Sequence, residues 1–507
     1  MKMKTGMIWT AACAVAISAT ADVELSTSAD RVETPLSVNM KRVGTLAPRS
    51  VKDIRSSNWT LGCETLDRDF ANFDEYKKFL PPLGIKKIRL QAGWAKCEKE
   101  KGKYDFSWLD HQVDFALANG IVPMLETGYG NPIYNGGGGW DLAGGFPTSD
   151  EGFAGWDAWV DVISRHFATR VRDWAMWNEP DIADIGSPEK TPVEIAAFNV
   201  RTAKIIRRNI PDACIAGLSL ASSDPGFFGQ CLKAMGTDVE LFDSMIYHGY
   251  EYAPESSYAN VEQLKKVLAK YNPNAKLRQG ENGCPSEMAT RFALSNIPWC
   301  EYSQAKWDMR RMLGDLGHDV ESSVFTICDF NHTGREINLK GLLRANEEKQ
   351  VIAVKRAYYA VQNVASVFDD TLVRVADSGF STKDCTVCTY EYKKDDGARV
   401  FVFWTCAKTT RTADKEKEPL LPAGQLVPVY ERPGDSFVTR PHVFKWTGAP
   451  LKDPVWVDLL TGRVYEFPKG DVCVSANSTR YVNVPIYDSP CLLTEKSLVL
   501  TPHGGTK

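Results

Sequence analysis

Short apolar segments alternate with amphipathic, helix-forming segments between residues 56 and 368, and no other feature of the sequence constrains the fold as much. Parallel strands cannot be joined by a tight turn, so strands separated by helices predict a parallel sheet with helical crossovers. Eight such units fit a closed (β/α)8 barrel, the TIM barrel, which places the chain in the α/β class. The predicted strands are 59–63, 86–91, 121–125, 172–177, 214–218, 242–247, 276–279 and 323–328.

Helix-start and helix-stop signals support this alternation. Ser107 is a candidate N-cap, and Gly120 follows the last apolar position of the same predicted helix. The segment Thr191-Pro192-Val193-Glu194 has the form of a capping box with proline at the first helical position. A last amphipathic helix is predicted over about residues 351–367, so that the barrel domain spans residues 56–368.

The remaining chain has a different pattern. Residues 400–404 and 455–458 are typical of strands, turn-forming residues separate such segments, and no clear helical period appears after residue 368. We therefore predict that residues 369–507 form an antiparallel β-sandwich. Residues 22–55 lack a clear period and are predicted to be an N-terminal arm.

Residues 1–21 have the pattern of an export signal. Lys2 and Lys4 precede an almost wholly apolar stretch at residues 7–17, and Ala19-Thr20-Ala21 supplies a small-x-small cleavage pattern. The apolar stretch is too short to span a bilayer as a stable helix. We expect a secreted or periplasmic protein that does not insert into a membrane after cleavage of residues 1–21.

Charge and composition narrow the classes of partner and cofactor. The formal net charge is −4 and the lysines and arginines form no basic stripe, which argues against a nucleic-acid partner. The 13 cysteines are scattered, and the one close pair, Cys385 and Cys388, has no second pair or histidine cluster nearby. The seven histidines are dispersed as well. We expect no metal and no cofactor, and mostly free thiols.

The strongest chemical signal is the segment 174–181, in which an apolar strand ends in Asn178-Glu179-Pro180. The proline forces the chain out of regular pairing directly after the acid. In a barrel, Glu179 then lies at the carboxyl end of a strand, where barrel enzymes carry out their chemistry. Neighbouring tryptophans would raise the pKa of a carboxyl group that donates a proton, and Asn178 offers an amide to a sugar hydroxyl. The alternative interpretation is a helix-capping acid in a proline turn.

A second strand, predicted at residues 276–279, runs into Glu281 and a glycine-rich turn. By strand count, Glu179 ends the fourth strand and Glu281 the seventh, so the two acids face each other across the mouth of the barrel. Carboxyl groups about 5–5.5 Å apart support a retaining glycosidase, and about 6.5–9.5 Å an inverting one. Alone, Glu281 is as well explained as an exposed loop acid, and only the pairing with Glu179 gives it weight.

With these acids in place, the chain resembles the clan A retaining glycoside hydrolases, and within that clan glycoside hydrolase family 39 and its relatives, which include β-xylosidases and α-L-iduronidases. The resemblance covers nearly the whole chain after residue 21. It implies that Glu179 is the acid/base and Glu281 the nucleophile. It further implies that Arg89, on the second strand, lies near the nucleophile. His248 and Tyr250, at the end of the sixth strand, match the clan's His-x-Tyr, whose tyrosine hydrogen-bonds the nucleophile.

The sequence departs from this pattern at the eighth strand. The clan usually places a tryptophan there as a sugar platform, but residues 323–331 contain none. Phe325, Phe330 or His332 are candidate substitutes. Among other aromatic residues, Trp94, Tyr129 and Trp140 are candidates for stacking against sugar rings, with core packing as the alternative for each. The run of glycines at 136–139 lacks the lysine of a phosphate-binding loop and is predicted to lie in a loop over the cleft.

Taken together, the residues predict a retaining glycoside hydrolase that cleaves a β-linked oligosaccharide or polysaccharide by double displacement, with exo action favoured by the long loop at residues 130–150. The alternatives are an endo-acting polysaccharidase and a non-catalytic carbohydrate-binding protein on a degenerate barrel. A metal-dependent hydrolase has less support, because the histidines do not cluster.

Overall fold

The structure is a computed structural model, and it describes residues 22–141, 144–182, 190–332, 336–406 and 437–500. The predicted export signal at residues 1–21 lies outside the described residues. Among the helices of the described ranges, none combines the length and the apolar character that crossing a membrane requires.

The secondary structure of the described ranges follows the predicted change of pattern along the chain. The strands are β1 (Arg42–Thr45), β2 (Trp59–Gly62), β3 (Lys87–Gln91), β4 (Val122–Thr127), β5 (Asp173–Met176), β6 (Cys214–Leu220), β7 (Ser244–Tyr247), β8 (Lys276–Gln279), β9 (Ser322–Val324), β10 (Phe330–His332), β11 (Glu336–Asn338), β12 (Leu343–Ala345), β13 (Val351–Val354), β14 (Val373–Arg374), β15 (Phe380–Ser381), β16 (Val387–Lys393), β17 (Arg399–Thr405), β18 (Arg440–Trp446), β19 (Pro454–Asp458), β20 (Arg463–Glu466), β21 (Val472–Ser475), β22 (Ser478–Ile486) and β23 (Cys491–Glu495). The α-helices are α1 (Phe73–Tyr76), α2 (Leu80–Leu83), α3 (Trp94–Cys97), α4 (Ser107–Ala118), α5 (Asp150–Phe167), α6 (Pro192–Asn209), α7 (Pro225–Met235), α8 (Tyr258–Tyr271), α9 (Glu301–Gly317), α10 (Arg356–Val367) and α11 (Lys496–Leu500).

Strands β2 to β9 form one parallel sheet in the order β8-β7-β6-β5-β4-β3-β2-β9. Isolated parallel bridges join Arg278 to Glu321 and Asn282 to Val324, and so bring the two edges, β8 and β9, together. The predicted (β/α)8 barrel is therefore confirmed, and each of the eight predicted strands is present. The strand at 276–279 has the predicted ends, and the other seven differ at one or both ends by one to four residues.

Apolar side chains fill the interior of the barrel beneath its carboxyl end. Met124, Ala175, Ala216 and Ile246, from four consecutive strands, form a buried cluster of their own. Such a layer makes the middle of the barrel a packed core rather than a channel.

The helix starts agree with the sequence signals at some positions and differ at others. Thr191 caps α6 in a capping box with Glu194, as predicted. Ser107 is the first residue of α4 and makes no side-chain cap. The predicted helix at 351–367 begins only at Arg356, because residues 351–354 pair with β12 as strand β13.

After the barrel, the chain forms two antiparallel sheets. One has the strand order β1-β20-β19-β23-β17-β16-β14, and the other has the order β15-β18-β22-β21. They are consistent with the predicted β-sandwich. The N-terminal arm is more than a lead-in segment, because its strand β1 pairs with β20 and becomes an edge strand of the larger sheet. The sequence shows no period there, since a strand this short carries too few alternating positions to make one visible.

Helices α9 and α10 lie between the barrel and the sandwich. Nearly every residue of both helices is buried, although both carry many polar side chains. Lys306 of α9 pairs with Asp488 of the sandwich at 2.9 Å, and Asn363 of α10 donates to the carbonyl of Leu459 at 2.9 Å. Directed polar contacts therefore join the two domains across this layer.

Candidate active site

A cavity of about 410 Å³ opens at the carboxyl end of the barrel. Its size is within the usual range for small-molecule sites. Six of the eight predicted catalytic and substrate-binding residues line it: Glu179, Glu281, Asn178, Arg89, Tyr129 and Tyr250. The predicted residue His248 lies behind the cavity wall, fully buried, and reaches the site through Glu179.

Glu179 is held in an uncommon backbone conformation directly after β5. Its φ is 48° and that of Trp177 is 56°, both in the left-handed region that non-glycine residues rarely adopt. The Glu179 N–H donates to the Ser219 carbonyl at 2.9 Å, and the Trp177 ring packs against Phe146 and Phe198. The surroundings thus fix a strained turn that aims the carboxyl group into the cavity, and strain of this kind clusters at functional sites.

The carboxyl group of Glu179 lies beside the ring of His248, with 2.8 Å between Oε1 and Nδ1. Burial raises the pKa of Glu179, the nearby Glu281 carboxylate raises it further, and His248 partly opposes both effects. The pKa remains above its ordinary value. Glu179 is therefore suited to carry a proton that it can donate.

Glu281, two residues beyond β8, has the opposite character. Arg89 Nη2 donates to its Oε2 at 2.6 Å, and the Tyr250 hydroxyl donates to its Oε1 at 2.8 Å. Burial alone would raise the pKa of Glu281, but His248, Arg89 and the hydrogen bond from Tyr250 hold it below its ordinary value. Glu281 is therefore suited to act as an anion.

The two glutamates are close enough to act on one bond. A carboxylate oxygen of Glu179, a carboxylate oxygen of Glu281 and a ring nitrogen of His248 all lie within 4.8 Å of one another. Inverting glycosidases need about 6.5–9.5 Å between their carboxyl groups to admit a water molecule, whereas retaining enzymes have about 5–5.5 Å. The separation fits direct attack by one carboxylate on a sugar carbon.

Arg89 is the centre of a buried charge network that the sequence only partly indicated. Besides Glu281, its guanidinium forms an ion pair with Glu64 at 2.7 Å and lies 3.8 Å from Glu126. Burial raises the pKa of Glu64 to about 7 and also raises the pKa of Glu126. Glu64 was missed by sequence reasoning, although it lies two residues beyond the end of β2, just as Glu281 lies two residues beyond β8.

Aromatic side chains form another wall of the cavity, where the expected tryptophan is absent. All three candidate substitutes, Phe325, Phe330 and His332, line the cavity. Phe292 lines it as well and stacks on His332, with 4.6 Å between ring centroids. Phe292 carries no sequence signal, because it comes from the long loop after β8.

Two of the predicted stacking residues lie elsewhere. Trp94 is fully buried, stacks against Trp159 at 6.0 Å between ring centroids, and does not line the cavity. Its alternative interpretation, core packing, is the one that fits the structure. Trp140 is 49% exposed and is not part of the cavity wall either. The sequence cannot separate these tryptophans from platform residues, because a tryptophan side chain suits a core position and a sugar-stacking position alike.

Glu179, His248 and Glu281 are also close enough to be considered as ligands of a metal ion. The donor atoms are already committed, however, since His248 Nδ1 faces Glu179, and Glu281 accepts from Arg89 and Tyr250. The Arg89 guanidinium, 2.6 Å from Glu281, would repel a second cation at the same carboxylate. The chemistry of the donor set therefore favours two carboxylates acting without a metal.

A second group of donors lies between the domains. The Sγ atoms of Cys388 and Cys406 are 2.8 Å apart, so the spatial neighbour of Cys388 is Cys406 and not Cys385. Glu255 is close to both, but it accepts from Arg310 and from the Trp404 indole. Glu255 is thus held by the domain interface.

No family model and no curated protein matches this sequence. Solved structures are similar in fold. A family 39 glycoside hydrolase from Bacteroides cellulosilyticus WH2 has a TM-score of 0.60 at 17% identity, over 89% of this chain and 83% of that one. A monomeric β-xylosidase from Caulobacter crescentus CB15 has 0.55 at 15%, over 89% and 97%. The catalytic domain of GH30 xylanase C from Talaromyces cellulolyticus has 0.55 at 11%, over 90% and 98%. The predicted resemblance thus holds at the level of the fold.

Proposed function

We propose that the protein is a retaining glycoside hydrolase in which Glu179 is the acid/base and Glu281 the nucleophile. One observation carries the proposal: two carboxyl groups within 4.8 Å face one cavity, and their surroundings shift the two pKa values in opposite directions. A pair of titratable groups separated in this way assigns the acid and the base of a reaction. The fold shared with solved glycoside hydrolases supports the same assignment.

In the first step, the protonated Glu179 gives its proton to the glycosidic oxygen while a Glu281 oxygen attacks the anomeric carbon. The bond from that carbon to the leaving oxygen breaks, a bond to Glu281 forms, and the leaving group departs as an alcohol. Before the attack, Arg89 and Tyr250 hold the Glu281 carboxylate in the attacking orientation through their hydrogen bonds. The negative charge of Glu281 is lost when the new bond forms.

In the second step, Glu179 is a carboxylate and accepts a proton from water as the water oxygen attacks the anomeric carbon. The bond to Glu281 breaks, and both glutamates return to their starting states. Formation of the covalent intermediate removes the charge of Glu281, which is one of the influences that raise the pKa of Glu179. Its loss lowers that pKa, which fits the change from acid to base.

We propose a β-linked substrate and exo action. The site is a cavity, and Arg68 in its wall donates to Asp141 of the loop at 130–150 at 2.9 Å. A loop anchored at the rim favours binding of a chain end over binding of a chain interior. Analysis of the products from an oligosaccharide labelled at its reducing end tests this. Release of single sugars from one end supports exo action, and fragments of mixed length support an endo-acting enzyme.

Trapping with a 2-deoxy-2-fluoro glycoside tests the mechanism. Activated fluorosugars of several configurations are incubated with the protein, and proteolytic peptides are analysed by mass. We expect a fluorosugar adduct on the peptide that contains Glu281, and none in the Glu281→Gln variant. Sugar binding in calorimetry without an adduct from any activated fluorosugar would support the non-catalytic carbohydrate-binding alternative instead.

We also propose that the protein is exported through residues 1–21. Expression in a bacterial host with a periplasm, followed by N-terminal sequencing, tests this proposal. The expected mature N-terminus follows Ala21. A chain that retains residues 1–21 and stays in the cytoplasm would contradict it.

A further inference from the structure

Lys340 is a buried cation in the wall of the cavity. It lies just beyond β11 and is 2% exposed. Its backbone is fixed, because its carbonyl accepts from the Thr326 N–H at 3.3 Å and from the Gln304 side chain at 3.3 Å. Its Nζ lies 5.8 Å from the centroid of the Tyr250 ring and 6.0 Å from that of Phe292. Within the described ranges, no carboxylate or hydrogen-bond acceptor contacts this Nζ.

The lack of a counter-ion distinguishes Lys340 from the other buried cations that the structure describes. Each of the others forms an ion pair with a carboxylate at 2.9 Å or less. The pairs are Arg89–Glu281, Arg278–Glu321, Lys306–Asp488, Arg310–Glu255, Arg311–Asp315 and Lys355–Asp329. The buried cations of the described residues are thus paired with carboxylates, and the one exception, Lys340, faces the cavity.

A buried ammonium without a partner is costly for the folded protein. Burial lowers the pKa of Lys340 to about 8, while the negative charges of Glu281 and Glu179 oppose this fall. The side chain therefore remains largely protonated at neutral pH. A ligand that brings an anion to Nζ would relieve the cost, and the gain would appear as binding energy.

Lys340 lies beside the Tyr250 side chain and near Glu281, and so near the sugar ring that Glu281 is proposed to attack. Tyr250 donates to Glu281 with its hydroxyl, and the ring of the same Tyr250 faces Lys340. Asn338 and His332 line the same wall, and His332 Nδ1 is buried without a hydrogen-bond partner in the described ranges. One cation and two neutral hydrogen-bonding side chains therefore line the cavity that contains the proposed nucleophile.

We infer that Lys340 recognises an anionic substituent on the sugar at the nucleophile, so that the substrate is an acidic glycoside carrying a carboxylate or a sulfate ester. This inference rests on the proposed glycosidase function. A carboxylate or sulfate ester would ion-pair with Nζ and accept further hydrogen bonds from Asn338 and His332. A neutral sugar leaves the ammonium without a counter-ion.

Matched pairs of aryl β-glycosides test the inference in the full-length protein. The pairs are glucuronide against glucoside, galacturonide against galactoside, and 6-sulfated against unsulfated glucoside. The charge-assisted hydrogen bond predicts a kcat/KM roughly 10- to 100-fold higher for the preferred acidic member. The carboxylate pairs and the sulfate pair distinguish the two kinds of anion.

Substitutions assign the preference to Lys340. In Lys340→Met the ratio of acidic to neutral kcat/KM should fall to near one, and Lys340→Arg should restore part of it. Lys276→Met is the matched control, because Lys276 is exposed at the amino end of β8, the strand that leads into Glu281. Its ratio should equal that of the wild type. The melting temperature of Lys340→Met should not fall, since the substitution removes a buried charge that has no counter-ion.

The outcomes separate this inference from the proposed function. Hydrolysis of neutral members as fast as acidic ones, with a ratio that Lys340→Met leaves unchanged, overturns the inference and leaves the glycosidase intact. If no member is hydrolysed and no fluorosugar labels Glu281, the proposed function fails. Calorimetry with glucuronic acid and glucose then still decides on Lys340, because tighter binding of the acid that is lost in Lys340→Met supports anion recognition, and equal binding refutes it.

Discussion

At the scale of single residues, two identical side chains acquire different chemistry from their neighbours. Glu179 and Glu281 are both buried, which by itself raises the pKa of each. Glu281 in addition faces Arg89 and Tyr250, whereas the Glu179 carboxyl group has, among the described residues, only His248 within hydrogen-bonding distance. The difference in ionisation therefore comes from how many donors each carboxyl group meets. His248 acts on both carboxyl groups.

The pH dependence of kcat/KM follows from this arrangement. In the proposed mechanism activity requires Glu281 ionised, so it should rise as the pH increases through a value below the ordinary glutamate range. The same mechanism requires Glu179 protonated, so activity should fall as the pH increases through a value above that range. His248 lowers both pKa values, so His248→Asn should move both limbs of the bell to higher pH.

Steady-state rates from acid to neutral pH, on one aryl glycoside, measure the two limbs as apparent values of the coupled pair. His318→Asn is the control, because His318 pairs with Glu262 on the outer helix α8, away from the cavity. Its limbs should match those of the wild type. Limbs that stay in place in His248→Asn, or that move to lower pH, would contradict the assignment.

How far the site could be predicted depends on where each residue lies in the chain. Glu179 and Glu281 each follow a strand directly, so strand order alone places them at one end of the barrel and opposite each other. Lys340 and Phe292 lie in long connections after β8 and β9. Their approach to the cavity depends on how those connections pack, which involves contacts distant in sequence. The signal for the two acids is local, and the signal for Lys340 and Phe292 is not.

At the scale of elements, the sequence predicted the type of most barrel elements and was less accurate at their ends. The capping box at Thr191 is a signal complete within four residues, and the structure contains it as predicted. Residues 351–354 fit a helical period but form β13, because β12 offers them a hydrogen-bonding partner. A helix start is therefore predicted well where a local capping signal is present. Where no such signal exists, pairing with a distant strand can override the local helical pattern.

The capping box gives a prediction for stability. The Thr191 hydroxyl accepts from the Glu194 N–H at 3.2 Å, and the Glu194 carboxylate accepts from the Thr191 N–H at 2.8 Å. Thr191→Ala removes one of these bonds and should lower the free energy of unfolding by about 1 kcal/mol. Denaturant titration followed by circular dichroism measures the change.

Val193→Ala provides the control for this substitution. Val193 lies in the first turn of the same helix and is 66% exposed, so its replacement should alter the free energy of unfolding by no more than about 0.5 kcal/mol. A loss in Thr191→Ala no larger than that in Val193→Ala would show that the cap does not stabilise α6. Activity at 25 °C should be unaffected in both variants, since α6 begins outside the cavity wall.

At the scale of the whole molecule, the barrel and the sandwich share buried polar contacts rather than a plain apolar surface. Arg310 of α9 and the Trp404 indole of β17 both donate to Glu255. Strand β1, which precedes the barrel in sequence, belongs to the sandwich. The chain therefore enters the sandwich before it forms the barrel and returns to it afterwards. Separation of the two domains would break the buried pair of Lys306 with Asp488 and the hydrogen bond from Trp404 to Glu255.

The buried pair of Lys306 and Asp488 tests whether the domains unfold as one unit. Lys306 Nζ is 2.9 Å from Asp488 and lies over the Phe437 ring at 4.4 Å, so the α9 side chain is enclosed by the sandwich. Lys306→Met removes the cation that faces a buried carboxylate. Loss of one partner of a buried pair costs about 3–5 kcal/mol. If the domains are coupled, that loss lowers the stability of both. Tryptophan fluorescence, far-UV circular dichroism and residual glycosidase activity should then follow one denaturation curve with an earlier midpoint.

Lys452→Met, at an exposed position of the sandwich, should leave the curve in place. Two separate transitions in Lys306→Met, with activity lost in only one of them, would mean that the barrel is stable without its companion domain.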